Sequence, residues 1–486
     1  MAKDGTLTGA SFSASLPDVS RRRFVAGAGA MLTAACTPGA EAALLIGTPP
    51  ERRPNIIFIL ADDLGYADLS CYGRRDYETP HIDRLAAQGV RYLSAYANSP
   101  VCSATRTGLI TGRYQYRFPV GLEEPLARRP LGLSPDVRTM PHLLKQAGYA
   151  TALVGKWHLG SLPDFGPLKS GYDHFFGFRK GGIDYFTHAG MGGTDLWDGD
   201  VAADDVGYLT DILGDRAMTM IDGFASGSDP FLLSLHFNAP HWPWEGPEDE
   251  AEAIRIANDP NTNIAHFDGG GMATYAAMVQ RMDTQVGRIM RRLETLGIAD
   301  NTIVVFTSDN GGERFSDTWP FSGRKTELLE GGIRVPCIVR WPARFVAGGE
   351  DAMPCMSMDW MPTFMAAAGI AVPDGLALDG IDIWSASSAV AVPDRTLFWR
   401  MKWMGQEASR RGNWKYLKIG DNTFLFDLAN DPLEKANLKL RHADVFASMV
   451  EQYRAWEATM LPITPEVETH GFMPSQMPDR YTAPSG

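Results

Sequence analysis

The sequence predicts an α/β protein: a large, mostly parallel central sheet flanked by helices, followed by a smaller C-terminal antiparallel sheet packed with a helix. Two observations support this fold class. From residue 55 onward, apolar runs of strand length alternate with helix-length patterns, as in parallel sheets whose strands are joined by helices. Beyond about residue 390, the pattern changes to short, aromatic-rich alternating runs that are typical of antiparallel strands.

Four apolar runs predict buried central strands, because strands covered on both faces are apolar throughout. They are Asn55 to Ala61 (NIIFILA), Tyr149 to Val154 (YATALV), Phe231 to Phe237 (FLLSLHF) and Thr302 to Thr307 (TIVVFT). Two helices are also recognisable. Thr79 before Pro80 predicts a capped helix start, and Tyr275 to Leu296 carries a methionine-rich apolar face that predicts core packing.

The C-terminal part is predicted to form a small antiparallel sheet with one helix. Its strand candidates are Leu397 to Trp403, Trp414 to Ile419 and Thr423 to Leu428, and its helix candidate is Ala443 to Met460. We therefore assign residues 55–390 to a catalytic domain and residues 391–486 to a C-terminal subdomain and tail.

The N-terminal segment predicts an export signal. Ser20 to Val25 (SRRRFV) precedes a short stretch of small and apolar residues, which is the pattern of a twin-arginine signal. We expect residues 1–42 to be the signal, cleaved after a small-x-small site, and residues 43–54 to be a linker. Lipid anchoring at Cys36 is the less favoured alternative. The predicted location is therefore periplasmic or extracellular.

Composition excludes some classes of protein. The formal net charge of −13 argues against nucleic acid as a partner, because binding to a phosphate backbone requires clustered basic residues. Five widely spaced cysteines without a C-x-x-C pair favour neither a disulfide scaffold nor a zinc site. No run outside the N-terminal segment reaches the roughly 20 apolar residues of a membrane span.

Reactive side chains follow each of the four predicted central strands, where ligands bind in sheets of this kind. They are Asp62 and Asp63, then Lys156 and His158, then His241, and finally Asp309 and Asn310. The acidic and amide side chains offer only oxygen ligands, which predicts a calcium or magnesium site. Singly, each could instead be a turn or cap residue, the commoner role for Asp and Asn.

Cys102 begins a short helical pattern between the first two strands. The free N–H groups and the dipole of a helix N-terminus attract an anion, and Arg106 lies one turn later on the same face. A sulfate-sized group fits there. From spacing alone, however, Cys102 could be a small buried side chain, a thiolate nucleophile or something rarer.

The segment from Cys102 to Gly112 resembles the sulfatase signature C-x-(P/A)-x-R-x-x-x-x-T-G, with Ala104 where many members have proline. Four further blocks are similar to sulfatase motifs in the same order. They are Gly148 to His158, Asn238 to His241, Ser308 to Gly311, and Lys325 before Glu330-Gly331-Gly332. The resemblance covers about residues 55–460 and is closest to the arylsulfatase and N-acetylgalactosamine-6-sulfatase type of the alkaline phosphatase superfamily.

This resemblance implies a mechanism and a maturation partner. A formylglycine-generating enzyme would oxidise Cys102 to Cα-formylglycine, whose hydrated aldehyde attacks sulfur beside one divalent cation, most simply Ca²⁺ with Mg²⁺ as the alternative. The implied cation ligands are Asp62, Asp63, residue 102, Asp309 and Asn310. Arg106, Lys156 and Lys325 would stabilise the sulfuryl group, His241 or Lys325 would protonate the departing alcohol, and His158 would take a proton to expel sulfate.

The resemblance implies a sulfated carbohydrate as substrate. Candidate substrate contacts lie on loops near the predicted blocks: Tyr185, His188, Trp197, Trp242, Trp244 and Arg324. For the aromatic residues, ordinary packing is an equal alternative to stacking on a sugar. Two rival functions stay open, a phosphate or phosphonate monoester hydrolase and a non-catalytic protein that binds sulfated glycans through an unmodified Cys102.

Overall fold

The computed structural model describes residues 52–123, 130–190, 192–259, 269–387 and 394–471, together with Met1. The predicted export signal after Met1, Cys36 and most of the predicted linker lie outside the described residues, as does the tail beyond residue 471. The predicted domain boundary near residue 390 also falls between two described segments. None of the helices in the described part of the chain combines the length and apolar character of a membrane span.

The strands form one large sheet, one four-stranded sheet and two small ribbons. In chain order they are β1 (Asn55–Ala61), β2 (Val90–Tyr92), β3 (Ala95–Tyr96), β4 (Ala150–Lys156), β5 (His174–Phe178), β6 (Ala189–Gly190), β7 (Gly193–Thr194), β8 (Trp197–Asp198), β9 (Val201–Ala202), β10 (Phe231–His236), β11 (Thr302–Ser308), β12 (Cys337–Arg340), β13 (Gly349–Asp351), β14 (Cys355–Met356), β15 (Thr396–Met401), β16 (Gln406–Arg411), β17 (Trp414–Ile419) and β18 (Asn422–Asp427).

The large sheet has ten strands in the order β13-β2-β12-β11-β1-β10-β4-β5-β8-β9. Its centre is parallel: β1 lies between β11 and β10, with Ile57 opposite Val304 on one side and Leu233 on the other. Strand β4 continues the parallel arrangement beside β10, and β12, β8 and β9 add antiparallel pairs toward the edges. The predicted mostly parallel sheet is therefore confirmed.

The helices cover both faces of this sheet. They are α1 (Pro80–Ala87), α2 (Cys102–Thr111), α3 (Met140–Gln146), α4 (Leu209–Ala225), α5 (Glu250–Asn258), α6 (Met272–Thr295), α7 (Glu330–Ile333), α8 (Trp360–Ala367), α9 (Ile383–Ser387) and α10 (Ala443–Glu457). Alternate residues of β1 enter different cores: Ile57 packs in a cluster with Met282 of α6, whereas Phe58 packs in a cluster with Phe364 of α8. Burial on both faces explains why β1 is apolar throughout.

Helix α1 starts where predicted, but its first N–H groups are not capped by Thr79. Thr79 stands at the cap position, but its side chain bonds to Ser70 and Asp83 instead of to the helix backbone. The first free N–H groups of α1, those of His81 and Ile82, donate instead to the carboxylate of Asp283 on α6, at 3.0 and 2.7 Å. Asp283, about 200 residues away in the chain, thus takes the place of a local cap. No local sequence pattern indicates this partner.

The C-terminal sheet contains one strand more than the sequence predicted. Strands β15, β16, β17 and β18 form an antiparallel meander, and α10 packs on it through Met449 and Tyr453. The missed strand β16 reads QEASRR, so it lacks the apolar alternation that indicates a strand. It is nevertheless buried between its neighbours, with Gln406 and Ser409 almost fully inaccessible.

A buried ion cluster joins this sheet to the segment around α7. The Lys415 ammonium on β17 lies 2.9 Å from a carboxylate oxygen of Glu330 and 2.9 Å from one of Glu434, and all three side chains are inaccessible to solvent. Burial alone would raise the pKa of Glu330, but Lys415 and two arginines lower it to about 2. The cluster therefore keeps Glu330 charged inside the protein.

We expect Lys415→Met to lower the free energy of unfolding by about 3–5 kcal/mol, because two buried carboxylates then lose their shared cation. Urea denaturation followed by circular dichroism measures this change. The matched control is Lys418→Met on the same strand, whose partly exposed pair with Glu407 contributes at most about 1 kcal/mol. Equal effects of the two substitutions would contradict a special role for the buried cluster.

Candidate active site

The ends of four central strands meet at one edge of the large sheet. Asp62 and Asp63 follow β1, Asp309 and Asn310 follow β11, Lys156 closes β4, and His241 lies five residues after β10. All of these side chains are buried. Because β1 is flanked by β11 and β10, residues that are far apart in the sequence become neighbours.

Asp63 and the predicted catalytic residue His158 have a backbone conformation that residues other than glycine rarely adopt. Asp63 has φ 64° and His158 has φ 56°. Such left-handed residues persist where the surrounding structure holds them, and they concentrate at functional sites.

The acidic residues form a cluster whose donor atoms fit a cation. One ligand atom from each of Asp62, Asp63, Cys102 and His241 lies within 4.8 Å of the others. Asn310 Nδ2 donates to Asp63 Oδ1 at 2.7 Å, while the buried Asn310 Oδ1 accepts no hydrogen bond from any residue that the structure describes. A buried carbonyl oxygen without a donor is costly unless a cation or water uses it.

Electrostatics of the cluster agree with a cation. Burial and the neighbouring Asp309 carboxylate together raise the pKa of Asp62 to about 7, although Lys156 and Arg106 act to lower it. Oxygen ligands of this kind suit Ca²⁺ or Mg²⁺, and the positive charge of a cation would offset the repulsion between the carboxylates. The residues therefore fit the predicted divalent cation, with His241 Nε2 as an added neighbour that the sequence did not assign to it.

Cys102 is the first residue of α2 and points into this cluster. Its Sγ lies 3.3 Å from Asp62 Oδ1 and 3.9 Å from Asp63 Oδ1, and only 1% of the residue is exposed. Burial, and then the Asp62 carboxylate, raise the pKa of the thiol well above its usual value. An unmodified Cys102 is therefore a neutral thiol here, which disfavours thiolate chemistry.

Three cations surround the cluster, each paired with one carboxylate. Their nitrogen-to-oxygen distances are 2.5 Å for Lys156 Nζ to Asp62 Oδ2, 2.7 Å for Lys325 Nζ to Asp63 Oδ2, and 2.7 Å for Arg106 Nη2 to Asp309 Oδ2. Burial would lower the pKa of each lysine, but the paired aspartate raises it above its usual value. All three side chains therefore carry positive charge at neutral pH.

The two predicted catalytic histidines are neutral. Burial and a nearby lysine, Lys156 for His158 and Lys325 for His241, lower the pKa of each imidazole well below its usual value. His241 Nδ1 lies 2.7 Å from the carbonyl oxygen of Trp242, which only accepts, so Nδ1 carries the proton. Its Nε2 lone pair then faces Asp63 Oδ2 at 3.6 Å.

Sequence reasoning missed two features that support the site. His236, which lies outside the sequence motifs, has its Nδ1 3.3 Å from Arg106 Nη1 and 3.2 Å from the Lys156 carbonyl oxygen. Gly181 and Gly182 pack against the catalytic histidines, since a Cβ on Gly181 would lie 2.8 Å from His158 Nε2 and one on Gly182 would lie 3.1 Å from His241 Cε1. The Gly-Gly pair is the only local signal, and by itself it indicates a turn.

The candidate substrate contacts divide into buried and accessible residues, which corrects part of the prediction. Tyr185 is fully buried: its ring stacks on Tyr208 and its hydroxyl donates to the His241 carbonyl oxygen at 3.0 Å, so it supports the loop instead of facing a sugar. Trp244 is 2% exposed and packs on Phe315. Neither ring is available for stacking in this structure.

Of the other candidates, His188 is buried, whereas Trp197, Trp242 and Arg324 are partly exposed. His188 Nε2 lies 3.2 Å from the Gly207 carbonyl oxygen, and Trp197 packs under the guanidinium of Arg179. Trp242 packs on the His241 ring, with 4.2 Å between the ring centroids, and Arg324 precedes Lys325 in the chain. These two remain predicted substrate contacts.

Comparisons with known proteins agree with one another. A family model described as Sulfatase matches residues 54–370. The chain is 32% identical to the N-acetylgalactosamine-6-sulfatase of Sus scrofa, over 72% of this chain and 69% of the relative. It is 28% identical to the N-acetylgalactosamine-6-O-sulfatase of Bacteroides thetaiotaomicron, over 82% and 92%. A crystal structure of Ps i-CgsB in complex with k-i-k-neocarrahexaose superimposes with a TM-score of 0.75 and 32% identity, covering 83% of this chain and 93% of that one.

Proposed function

Because the chain belongs to the sulfatase family and is a sulfatase enzyme, we propose that it removes sulfate from a sulfated carbohydrate by means of a Cα-formylglycine formed from Cys102 and one divalent cation. The observation that carries this proposal is the position of Cys102, whose sulfur lies 3.3 Å from Asp62 in a pocket of three carboxylates and three cations. The names of the relatives support the carbohydrate substrate, since two are N-acetylgalactosamine sulfatases and one structure holds a neocarrahexaose.

The residues that would hold the cation are Asp62, Asp63, Asp309, Asn310 and residue 102. A cation bound there supplies Lewis acidity, which favours the ionised form of a hydroxyl on residue 102 and balances negative charge on the sulfuryl oxygens. Formylglycine supplies a carbon that can carry two hydroxyl groups, so one can attack sulfur while the other provides the proton whose removal later releases sulfate.

The side chains of the protein divide the remaining work. Arg106, Lys156 and Lys325 place positive charge around the sulfuryl group as it is transferred. Of the two predicted acids, Lys325 holds a proton, whereas His241 Nε2 is unprotonated; Lys325 therefore protonates the departing alcohol. His158 is neutral and accepts the proton from the second hydroxyl.

We also propose that the enzyme acts outside the cytoplasm. The support is the twin-arginine pattern at Ser20 to Val25, and sulfated glycans are encountered there. Export machinery of the twin-arginine type and a formylglycine-generating enzyme are then its maturation partners. Simple cleavage of the signal is favoured over lipid anchoring at Cys36.

The test uses full-length protein produced together with a formylglycine-generating enzyme. We expect the tryptic peptide Tyr92 to Arg106 to show the aldehyde mass at residue 102. We expect kcat/KM for para-nitrophenyl sulfate to exceed that for para-nitrophenyl phosphate by roughly 100-fold or more. Sulfate release from sulfated galactose and N-acetylgalactosamine oligosaccharides then identifies the sugar.

Two outcomes would overturn the proposal. Faster hydrolysis of the phosphate would assign the protein to the phosphate or phosphonate monoester hydrolases. An unmodified thiol, with no turnover of either ester but measurable binding of sulfated glycans, would make it a binding protein.

A further inference from the structure

The segment that carries Lys325 is held in a strained conformation. Lys325 N donates to the Gly312 carbonyl oxygen and Thr326 N donates to that of Pro100, both at 2.9 Å. Thr326 has φ 72°, a left-handed conformation that is uncommon for a β-branched residue. A residue in this region keeps its conformation only when its surroundings hold it there. The position of the Lys325 ammonium thus depends on what fixes the neighbouring backbone.

Gln406, the first residue of β16, supplies that constraint from the C-terminal sheet. Its Nε2 donates to the Thr326 carbonyl oxygen at 2.8 Å, and its Oε1 accepts from Leu328 N at 2.9 Å. Nε2 also donates to the Trp403 carbonyl oxygen at 3.1 Å, and the side chain is 2% exposed. Both ends of the amide are therefore used, and the two contacts bracket the turn that follows Lys325.

The same segment is attached to the C-terminal part at both of its ends. Ser322 Oγ donates to the Leu433 carbonyl oxygen at 2.6 Å, and Glu330 N donates to Glu434 Oε2 at 2.7 Å, beside the buried Lys415. Of these contacts with the C-terminal part, the one made by Gln406 lies nearest to Lys325 along the chain, because it is made to Thr326. It is also the one that contacts the strained residue directly.

We propose that Gln406 is a positioning residue for catalysis: by fixing the backbone of Thr326 and Leu328, it holds the Lys325 ammonium beside Asp63 and the site of the sulfuryl group. The proposal rests on the proposed function for the reaction that Lys325 serves. It makes the C-terminal sheet a part of the catalytic machinery that acts through the backbone of another segment. Neither the sequence pattern of β16 nor the family motifs around Lys325 assign this role.

The kinetic test combines Gln406→Met with Lys325→Ala. Methionine has a similar length but replaces none of the three hydrogen bonds of Gln406, so we expect kcat for para-nitrophenyl sulfate to fall about 10- to 100-fold with little change in KM. In the Lys325→Ala background, Gln406→Met should change kcat less than about twofold, because its effect passes through Lys325. The same fold-loss in both backgrounds would overturn the proposal.

Two further variants separate positioning from general destabilisation. Ser409 lies on the same strand and is fully buried, and its hydroxyl has no hydrogen-bond partner among the described residues. We expect Ser409→Ala, which removes this hydroxyl, to leave kcat unchanged. Gln406→Glu keeps an acceptor for Leu328 N but sets a buried carboxylate oxygen against the carbonyl oxygens of Thr326 and Trp403, so its kcat should fall at least as far as that of Gln406→Met. If Gln406→Met fails to fold, the same cycle is run with Gln406→Asn, whose amide is one methylene shorter.

Hydrogen exchange tests, independently of activity, whether Gln406 fixes the backbone of the segment that carries Lys325. We expect amide exchange in residues 322–334 to become faster in the folded Gln406 variants, and to stay unchanged in Ser409→Ala. Unchanged exchange in this segment would overturn the proposal. An inactive wild-type enzyme would instead refute the proposed function, while the exchange data would still report whether Gln406 fixes the segment.

Discussion

We expect Cys102→Ala to abolish turnover and to lower kcat/KM for para-nitrophenyl sulfate by on the order of 10⁴-fold or more. The physical reason is the loss of the nucleophile, since a methyl group at position 102 cannot form a covalent intermediate with the sulfuryl group. The substitution removes no charge from the pocket, so the free energy of unfolding should change by only about 1 kcal/mol. Steady-state kinetics and urea denaturation measure the two effects.

Two comparisons make this result specific. Cys337→Ala removes another buried free thiol, on β12 and outside the cluster, and should retain full activity. Cys102→Ser provides one hydroxyl but no aldehyde carbon, so we expect release of at most about one alcohol per enzyme before the reaction stops. Continued turnover by either position-102 variant would exclude the formylglycine mechanism.

The second large effect is expected for Arg106→Met. Arg106 donates twice to Asp309 Oδ2, from Nε at 3.1 Å and Nη2 at 2.7 Å, and both side chains are at most 2% exposed. Removing it leaves a buried carboxylate without its counterion, which costs about 3–5 kcal/mol of folding free energy. Loss of a charge aimed at the sulfuryl oxygens should lower kcat by about 10²- to 10³-fold.

Thermal or urea denaturation and kcat are measured together on the same preparation. Arg106→Lys keeps the charge but not the guanidinium geometry, so its activity should lie between those of wild type and Arg106→Met. Arg84→Met breaks an exposed pair with Glu294 and should cost at most about 1 kcal/mol without affecting kcat. Wild-type kcat in Arg106→Met would remove this arginine from the reaction.

Much of the central sheet, and the meeting of the side chains that follow its strands, could be predicted because the signals are local. The run NIIFILA became β1 with the predicted bounds, since a strand buried on both faces is apolar throughout. Strand β4 extends two residues beyond the prediction, to Lys156, because the ammonium pairs with Asp62 and so tolerates burial. The side chains after the strands meet because parallel strands end at the same edge.

Other features depend on neighbours that the chain order does not reveal. Tyr185 could not be recognised as buried, because its partners Tyr208 and the His241 carbonyl oxygen come from distant loops. Strand β16 is polar because its side chains serve other segments, as Gln406 does for Thr326 and Leu328. The support of Arg106 by His236 likewise appears only when β10 and α2 are brought together.

The burial of Cys102 also restricts when it can be modified. Its 1% exposure excludes another enzyme from the sulfur once the protein has folded. The pocket closes only when β11 is present, and Arg106 and its partner Asp309 are 203 residues apart in the chain. At about 5–20 residues per second, ribosomes take roughly 10–40 s to make that stretch. Under the proposed formylglycine mechanism, Cys102 would therefore have to be oxidised in the nascent or unfolded chain, and a molecule that folded first would stay inactive.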